Sequence, residues 1–217
     1  MLRLPLIPFS RSRFKILCLG AHSDDIEIGC GGTMLHLVHS YPQLDIRWVV
    51  FSASPERERE ARKSARLFLR GAKKQELIVK NFRESYFPYV GPEIKEFFEE
   101  LKADFDPDLI FTHTRHDLHQ DHRILWELTW NAFRNHTILE YEIPKYDGDL
   151  AAPHCFMPLS EKLCVRKINY LMEAFKTQRS KHWFTPDTFQ ALMRLRGLES
   201  NAPENFAEGF YCRKLSF

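Results

Sequence analysis

Short apolar runs alternate with longer, helically spaced segments through the first two thirds of this chain, and that alternation limits its architecture more sharply than its composition does. Residues 14–21, 45–52, 76–79, 108–112 and 137–143 are too short for stable helices and rich in Ile, Leu, Val and Phe, as buried strands are. Between them, residues 27–41 place Met34, Leu35 and Val38 on one helical face. Residues 55–70 form a charged helix with Pro55 in its first turn, and residues 93–105 and 121–133 supply two more helices. Parallel neighbours need crossover connections, and crossover helices cover the sheet. The pattern therefore predicts an α/β fold with a mostly parallel sheet and helices on both faces. Ligands of such sheets bind outside the carboxyl ends of the strands.

The last third is less regular. Residues 147–158 read as a loop, with Gly148, Pro153 and Pro158. A long helix over 160–179 carries Leu163, Ile168, Leu171 and Phe175 on its apolar stripe, a second helix spans 186–196, and a short strand includes 210–212. These helices are expected as a C-terminal cap on the sheet's active end. With 217 residues the chain suits a single domain over 1–217.

Residues 1–13 are apolar but short and broken by Pro5 and Pro8, so they read as a flexible surface tail and not as a signal peptide. No run approaches the roughly 20 apolar residues of a membrane span, and a cytoplasmic protein is expected. A formal net charge of +2, with basic residues interleaved among acids as in Glu56-Arg57-Glu58-Arg59-Glu60, gives no footprint for nucleic acid or an acidic membrane. The five cysteines are odd in number and contain no Cys-x-x-Cys pair, so reduced buried thiols are expected.

Two of the strands run straight into clusters of metal-binding chemistry. After the first comes Ala21-His22-Ser23-Asp24-Asp25. After the fourth comes His113-Thr-Arg-His116-Asp117-Leu-His119-Gln-Asp121-His122, four of the chain's ten histidines in one stretch. Adjacent carboxylates repel at neutral pH unless a cation binds one. A metal taking Asp25 leaves Asp24 free to hold a proton. His119 and His122 share a face at a helix entry, so one can bind the ion while the other stands behind it. Two histidines and a carboxylate leave coordination positions open, the catalytic pattern for zinc. His36, His39, His136, His154 and His182 lack such a setting. Gly29-Cys-Gly-Gly32 matches no phosphate-binding motif, and its glycines are read as permitting close helix packing. No Gly-x-Ser-x-Gly elbow is present.

The segment from Gly20 to Thr33 (Gly-Ala-His-Ser-Asp-Asp-Ile-Glu-Ile-Gly-Cys-Gly-Gly-Thr), together with His119-Gln-Asp-His122, resembles the PIG-L/LmbE-like family of zinc-dependent sugar N-deacetylases. The resemblance implies a Rossmann-like fold and removal of the acetyl group from an N-acetylglucosamine-type small-molecule sugar conjugate. It implies that His22, Asp25 and His122 bind Zn2+, with Fe2+ as the alternative, and that Asp24 is the general base. His119 would stabilise the oxyanion, with Asp121 orienting it. Arg57-Glu-Arg-Glu60-Ala61 is similar to the family's Arg-x-x-Glu-Ala helix start, so Arg57 would reach sugar hydroxyls, with Arg59 the alternative in a shifted register. Arg196-Gly197 and Phe206-Ala-Glu-Gly-Phe210 extend the likeness toward the C-terminus. Ser23 and Gln120 replace prolines that many members carry, which removes loop stiffness but no ligand. Lipid-linked members have a membrane anchor that is not seen here, which argues against a lipid-embedded substrate. Hydrolysis of another amide, or a non-catalytic sugar-binding role, are the competing readings. Nothing in the sequence decides whether the chain forms a homo-oligomer.

Overall fold

A computed structural model describes residues 6–7, 13–41 and 43–215. Its elements in chain order are β1 (Phe14–Gly20), α1 (Asp25–Ser40), β2 (Leu44–Val50), α2 (Pro55–Phe68), β3 (Lys74–Val79), α3 (Gly91–Asp104), β4 (Leu109–His113), α4 (Gln120–Ala132) and β5 (Thr137–Tyr141). They continue with β6 (Cys155–Leu159), α5 (Glu161–Ala174), α6 (Pro186–Glu199) and β7 (Phe206–Cys212). One sheet holds all seven strands in the order β3-β2-β1-β4-β5-β7-β6. The first five strands pair in parallel, and β7 runs antiparallel to both β5 and β6.

Strand alternation splits the core in two. Ile16 and Cys18 of β1 face α1, α2, α5 and α6, whereas Leu17 and Leu19 face α3 and α4. The expected α/β architecture, with helices on both faces, is what the chain adopts. The C-terminal helices add to the α1/α2 layer, where Leu171, Phe175, Phe184 and Phe189 are buried. Arg196 of α6 reaches Glu142 just past the carboxyl end of β5, and from the turn after α5 the positive charge of Lys181 acts on Asp24.

Three local readings need correction. The helix expected over 160–179 stops at Ala174, because Thr177 is drawn to Glu60 of α2: its N–H and Oγ1 donate to that carboxylate at 2.9 and 2.6 Å. The loop expected over 147–158 ends in strand β6, and Pro158 lies within it. An edge strand tolerates proline, because one side of its ladder has no partner to bond. The final strand starts at Phe206, four residues earlier than the apolar cue at 210. Of the expected N-terminal tail, residues 1–5 and 8–12 lie outside the described residues, while Leu6 packs against the core and Ile7 is buried in it.

Helix α1 contains a kink that other elements stabilise. Cys30 leaves helical geometry at φ −139°, which frees the N–H groups that follow it. Buried Glu208 accepts from Gly32 N at 2.8 Å and from Thr33 N at 2.7 Å, as a capping carboxylate does. Lys167 in turn donates to Ile28 O at 2.6 Å and to Glu208 at 2.7 Å. The glycines here do allow close packing, but against the sheet: a Cβ at Gly29 would lie 2.1 Å from the Tyr141 ring, and one at Gly32 would lie 2.5 Å from Leu159.

Candidate metal centre and active site

The strand order reverses between β1 and β4, so the loops after these two strands meet at the sheet's switch point. They carry the two clusters. The β1 loop is held by Ser52 N donating to Ala21 O at 2.8 Å and by Ala21 N donating to His113 Nε2 at 3.0 Å. Within the loop, His22 N donates to Asp25 Oδ2 at 2.7 Å, which turns that carboxylate back toward the His22 ring.

Three donor atoms converge there. His22 Nδ1 lies 3.2 Å from His122 Nε2 and 3.4 Å from Asp25 Oδ2, and His122 Nε2 lies 3.5 Å from Asp25 Oδ2. The remaining nitrogen of each imidazole faces a carboxylate: His22 Nε2 is 3.1 Å from Asp121 Oδ2, and His122 Nδ1 is 2.8 Å from Asp117 Oδ2. Protons placed there turn a lone pair from each ring toward the third side of the triangle, where Asp25 adds another. Such a convergence is stable only with positive charge inside it, either a proton or a metal cation. Tetrahedral zinc with bonds of about 2.0–2.1 Å requires its ligands roughly 3.3–3.4 Å apart, so the donors fit that ion as they stand.

His113 and His119 flank the triangle. Among the described residues, His22, His119 and His122 form one set of ligand atoms lying within 4.8 Å of one another, and Asp25, His113 and His122 form another. Their lone pairs are otherwise engaged, however. His113 Nε2 accepts from Ala21 N, and His119 Nδ1 accepts from Asp121 N at 3.2 Å, which leaves His119 an N–H on Nε2. His116 does not join: it is exposed and rests near the Tyr211 ring.

Asp24 turns to a different partner. Arg57 Nη2 donates to Asp24 Oδ1 at 2.7 Å, and Arg57 Nε donates to Ser23 Oγ at 2.9 Å. Glu84 lies 3.3 Å from the same guanidinium. Thus Arg57, and not Arg59, comes to the site, where its guanidinium holds the loop after β1.

Charge follows this geometry. Burial drives the Asp24 carboxyl up and neighbouring Asp25 adds to the rise, with Arg57 opposing. Burial would raise Asp25 too, but the His122, His22 and His113 rings hold it well below the usual carboxylate range. Against its own burial, His22 is pushed up to about 10 by Asp25 and Asp121. Burial, reinforced by His113, brings His122 down to about 4. His119 is lowered by burial and by the charge on His22.

Asp121 departs from expectation. Its carboxylate orients His22, not His119, and accepts from Ser85 N at 2.6 Å and Phe87 N at 3.1 Å; only its backbone N–H reaches His119. Those bonds also pin the loop after β3, where Ser85 adopts a left-handed φ of 65°. Sequence reasoning assigned no role to Asp117, Lys145 or Asp149. Asp117 backs His122, Lys145 Nζ lies 3.0 Å from Asp117 and also contacts Asp149, and Asp149 accepts from Leu118 N at 2.7 Å. Asp117 had a visible signal, its place inside the histidine cluster. Lys145 and Asp149 had none. The aromatic pair Trp183-Phe184 adds no platform for a sugar ring: Phe184 belongs to the core and Trp183 packs against it, with Lys181 over its ring.

Strand order and loop chemistry together define a Rossmann-like α/β protein with a His/Asp pocket at its switch point. The chain belongs to the PIG-L family: the family model described as GlcNAc-PI de-N-acetylase matches residues 17–133, more than half of the sequence and both site loops. Among solved structures, it is similar to the conserved protein TT1542 from Thermus thermophilus (TM-score 0.73, 19% identity, 93% of this chain and 95% of that one). It is also similar to the N,N'-diacetylchitobiose deacetylase from Pyrococcus horikoshii (TM-score 0.65, 19% identity, 93% and 84%). A third likeness is to GalB, the 4-carboxy-2-hydroxymuconate hydratase from Pseudomonas putida (TM-score 0.66, 14% identity, 94% and 98%). A deacetylase and a hydratase share this fold, so the reaction must be argued from the site. No curated protein matches the sequence.

Proposed function

We propose that the protein is a metal-dependent hydrolase that removes the N-acetyl group from an N-acetylglucosamine-type sugar conjugate. The observation that carries this reading is the convergence of His22 Nδ1, His122 Nε2 and Asp25 Oδ2 at 3.2–3.5 Å beside a second, separately held carboxylate, Asp24. Membership of the PIG-L family supports the bond and the sugar class. His22, Asp25 and His122 would hold the ion; the donor set suits zinc, with ferrous iron the alternative. Bound there, a divalent ion lowers the pKa of water and polarises an amide carbonyl.

The chain's own residues do the rest. Arg57 engages Asp24 Oδ1, which leaves Oδ2 to accept a proton from the attacking water. A carboxyl raised by burial is basic enough to hold that proton. As water oxygen bonds to the amide carbon, His119 Nε2–H donates to the carbonyl oxygen; this imidazole is neutral and oriented because Asp121 N–H occupies its Nδ1. Asp24 then returns the proton to nitrogen, the C–N bond breaks, and the products are acetate and a primary amine. Asp121 and Asp117 keep the two imidazoles in the ligating tautomer.

The test is amine release from N-acetylglucosamine and its glycosides by metal-loaded protein, run beside the same sugars carrying longer acyl chains. Acetyl-selective release supports the reading. Stoichiometric metal with release only from other amides, or none, would overturn it.

A further inference from the structure

Outside the metal centre, the fold brings together a pair of nucleophilic side chains that are only partly buried. Cys155 opens the edge strand β6 and stands opposite Phe210 of β7, while Cys212 closes β7 two residues beyond Phe210. Alternation along a strand puts all three side chains on one face, with the cysteines as diagonal neighbours. The other three cysteines, Cys18, Cys30 and Cys164, are buried, whereas Cys155 and Cys212 are half-buried, a departure from the expectation of buried thiols throughout. His154 Nδ1 lies 3.8 Å from Cys155 Sγ, and the Cys212 thiol lies 3.5 Å from Lys214 O.

We propose that Cys155 and Cys212 form a thiol–disulfide exchange site at the edge of the sheet, in which Cys155 attacks a small-molecule disulfide and Cys212 resolves the adduct. Their surroundings assign the roles. The neighbouring Cys212 thiol, with His154 Nδ1 alongside, brings Cys155 down to about 6 against its partial burial, which favours the thiolate. Cys212 keeps its proton, which faces Lys214 O, and its thiol is raised by the neighbouring Cys155 and by burial. Diagonal strand neighbours have Cα atoms about 7–8 Å apart and a disulfide needs about 4.4–6.8 Å, so closure requires a shift of about an ångström. Both residues end their strands, so such a shift displaces only the last pair of each ladder, Cys155 with Phe210 and Cys212 with Leu139.

The step balances. The Cys155 thiolate breaks the S–S bond of glutathione disulfide, forms a mixed disulfide and releases one glutathione thiolate, which takes up a proton. Cys212 loses its proton and attacks Cys155 Sγ, releasing the second glutathione. Two protein thiols are oxidised to one disulfide while one glutathione disulfide is reduced to two thiols.

The full-length protein would be incubated with glutathione disulfide, quenched with an alkylating agent and mapped by mass spectrometry. The expected result is a Cys155–Cys212 disulfide with Cys18, Cys30 and Cys164 still alkylated. Cys212→Ser should stop at one glutathione on Cys155, and Cys155→Ser should leave Cys212 as unreactive as the buried thiols. A wild-type protein that keeps glutathione on Cys155 beside a free Cys212, or whose two thiols stay fully alkylatable, would overturn the proposal.

Discussion

Which atoms face which decides the chemistry of this site, and the decisive pairs join residues distant in sequence. His22 and Asp121 are 99 positions apart, and His22 and His122 are 100 apart. The two clusters were legible because imidazoles and carboxylates crowd two short segments that follow apolar strands. The carboxylate behind each ring was not, since tertiary packing sets ring orientation. Two predictions belong at this scale. Asp117→Asn should weaken zinc binding about 10–100-fold, because His122 loses the carboxylate that fixes its tautomer; chelator competition measures it. Zinc must also displace the proton that Asp25 and Asp121 stabilise on His22. With that imidazole raised to about 10, affinity should climb roughly tenfold per pH unit between pH 6 and 8 as the competing proton is lost, with at least one proton released per ion. Calorimetry in buffers of different ionisation enthalpy counts the protons, and a pH-independent affinity would contradict the account.

At the scale of the elements, the strands were legible where short apolar runs met turn signals, and least so where proline disguised a strand. Strand β6 contains Pro158 and follows Pro153, so local cues favour a loop; its pairing with β7 at the sheet edge overrides them. Helix α1 reads from sequence as one continuous segment, yet it bends at Cys30 because Glu208, about 175 residues away, caps the freed N–H groups. Glu208→Ala would uncap the kink and strand the Lys167 ammonium in the core. Removing one partner of a buried ion pair costs about 3–5 kcal/mol, so urea unfolding should show a loss of that order, against a fraction of it for an exposed pair such as Arg62–Glu58. A small loss at Glu208 would mean the kink does not depend on this capping.

For the whole molecule, the parallel sheet with its switch point between β1 and β4 brings the two clusters into one pocket, and the alternating pattern implied this from the start. The stability of the whole fold also bears on Glu27, whose carboxyl is fully buried beside Ser64 and which burial pushes up to about 8 against that contact. The folded state thus keeps a proton that the unfolded chain gives up near pH 4.5, so stability from this group falls as pH rises from about 4.5 to 8 and then levels. Glu27→Gln should unfold like wild type at pH 4.5 and at a higher temperature by pH 8. Equal melting temperatures at both would contradict the buried, protonated carboxyl. The most direct test of the central claim is to load wild type and Asp24→Ala with zinc, measure bound metal, and follow primary-amine release from N-acetylglucosamine glycosides. The account predicts equal metal in both and a drop in turnover of about 10²–10⁴-fold in the variant. Undiminished turnover without Asp24, or no metal bound by the wild-type protein, would contradict it.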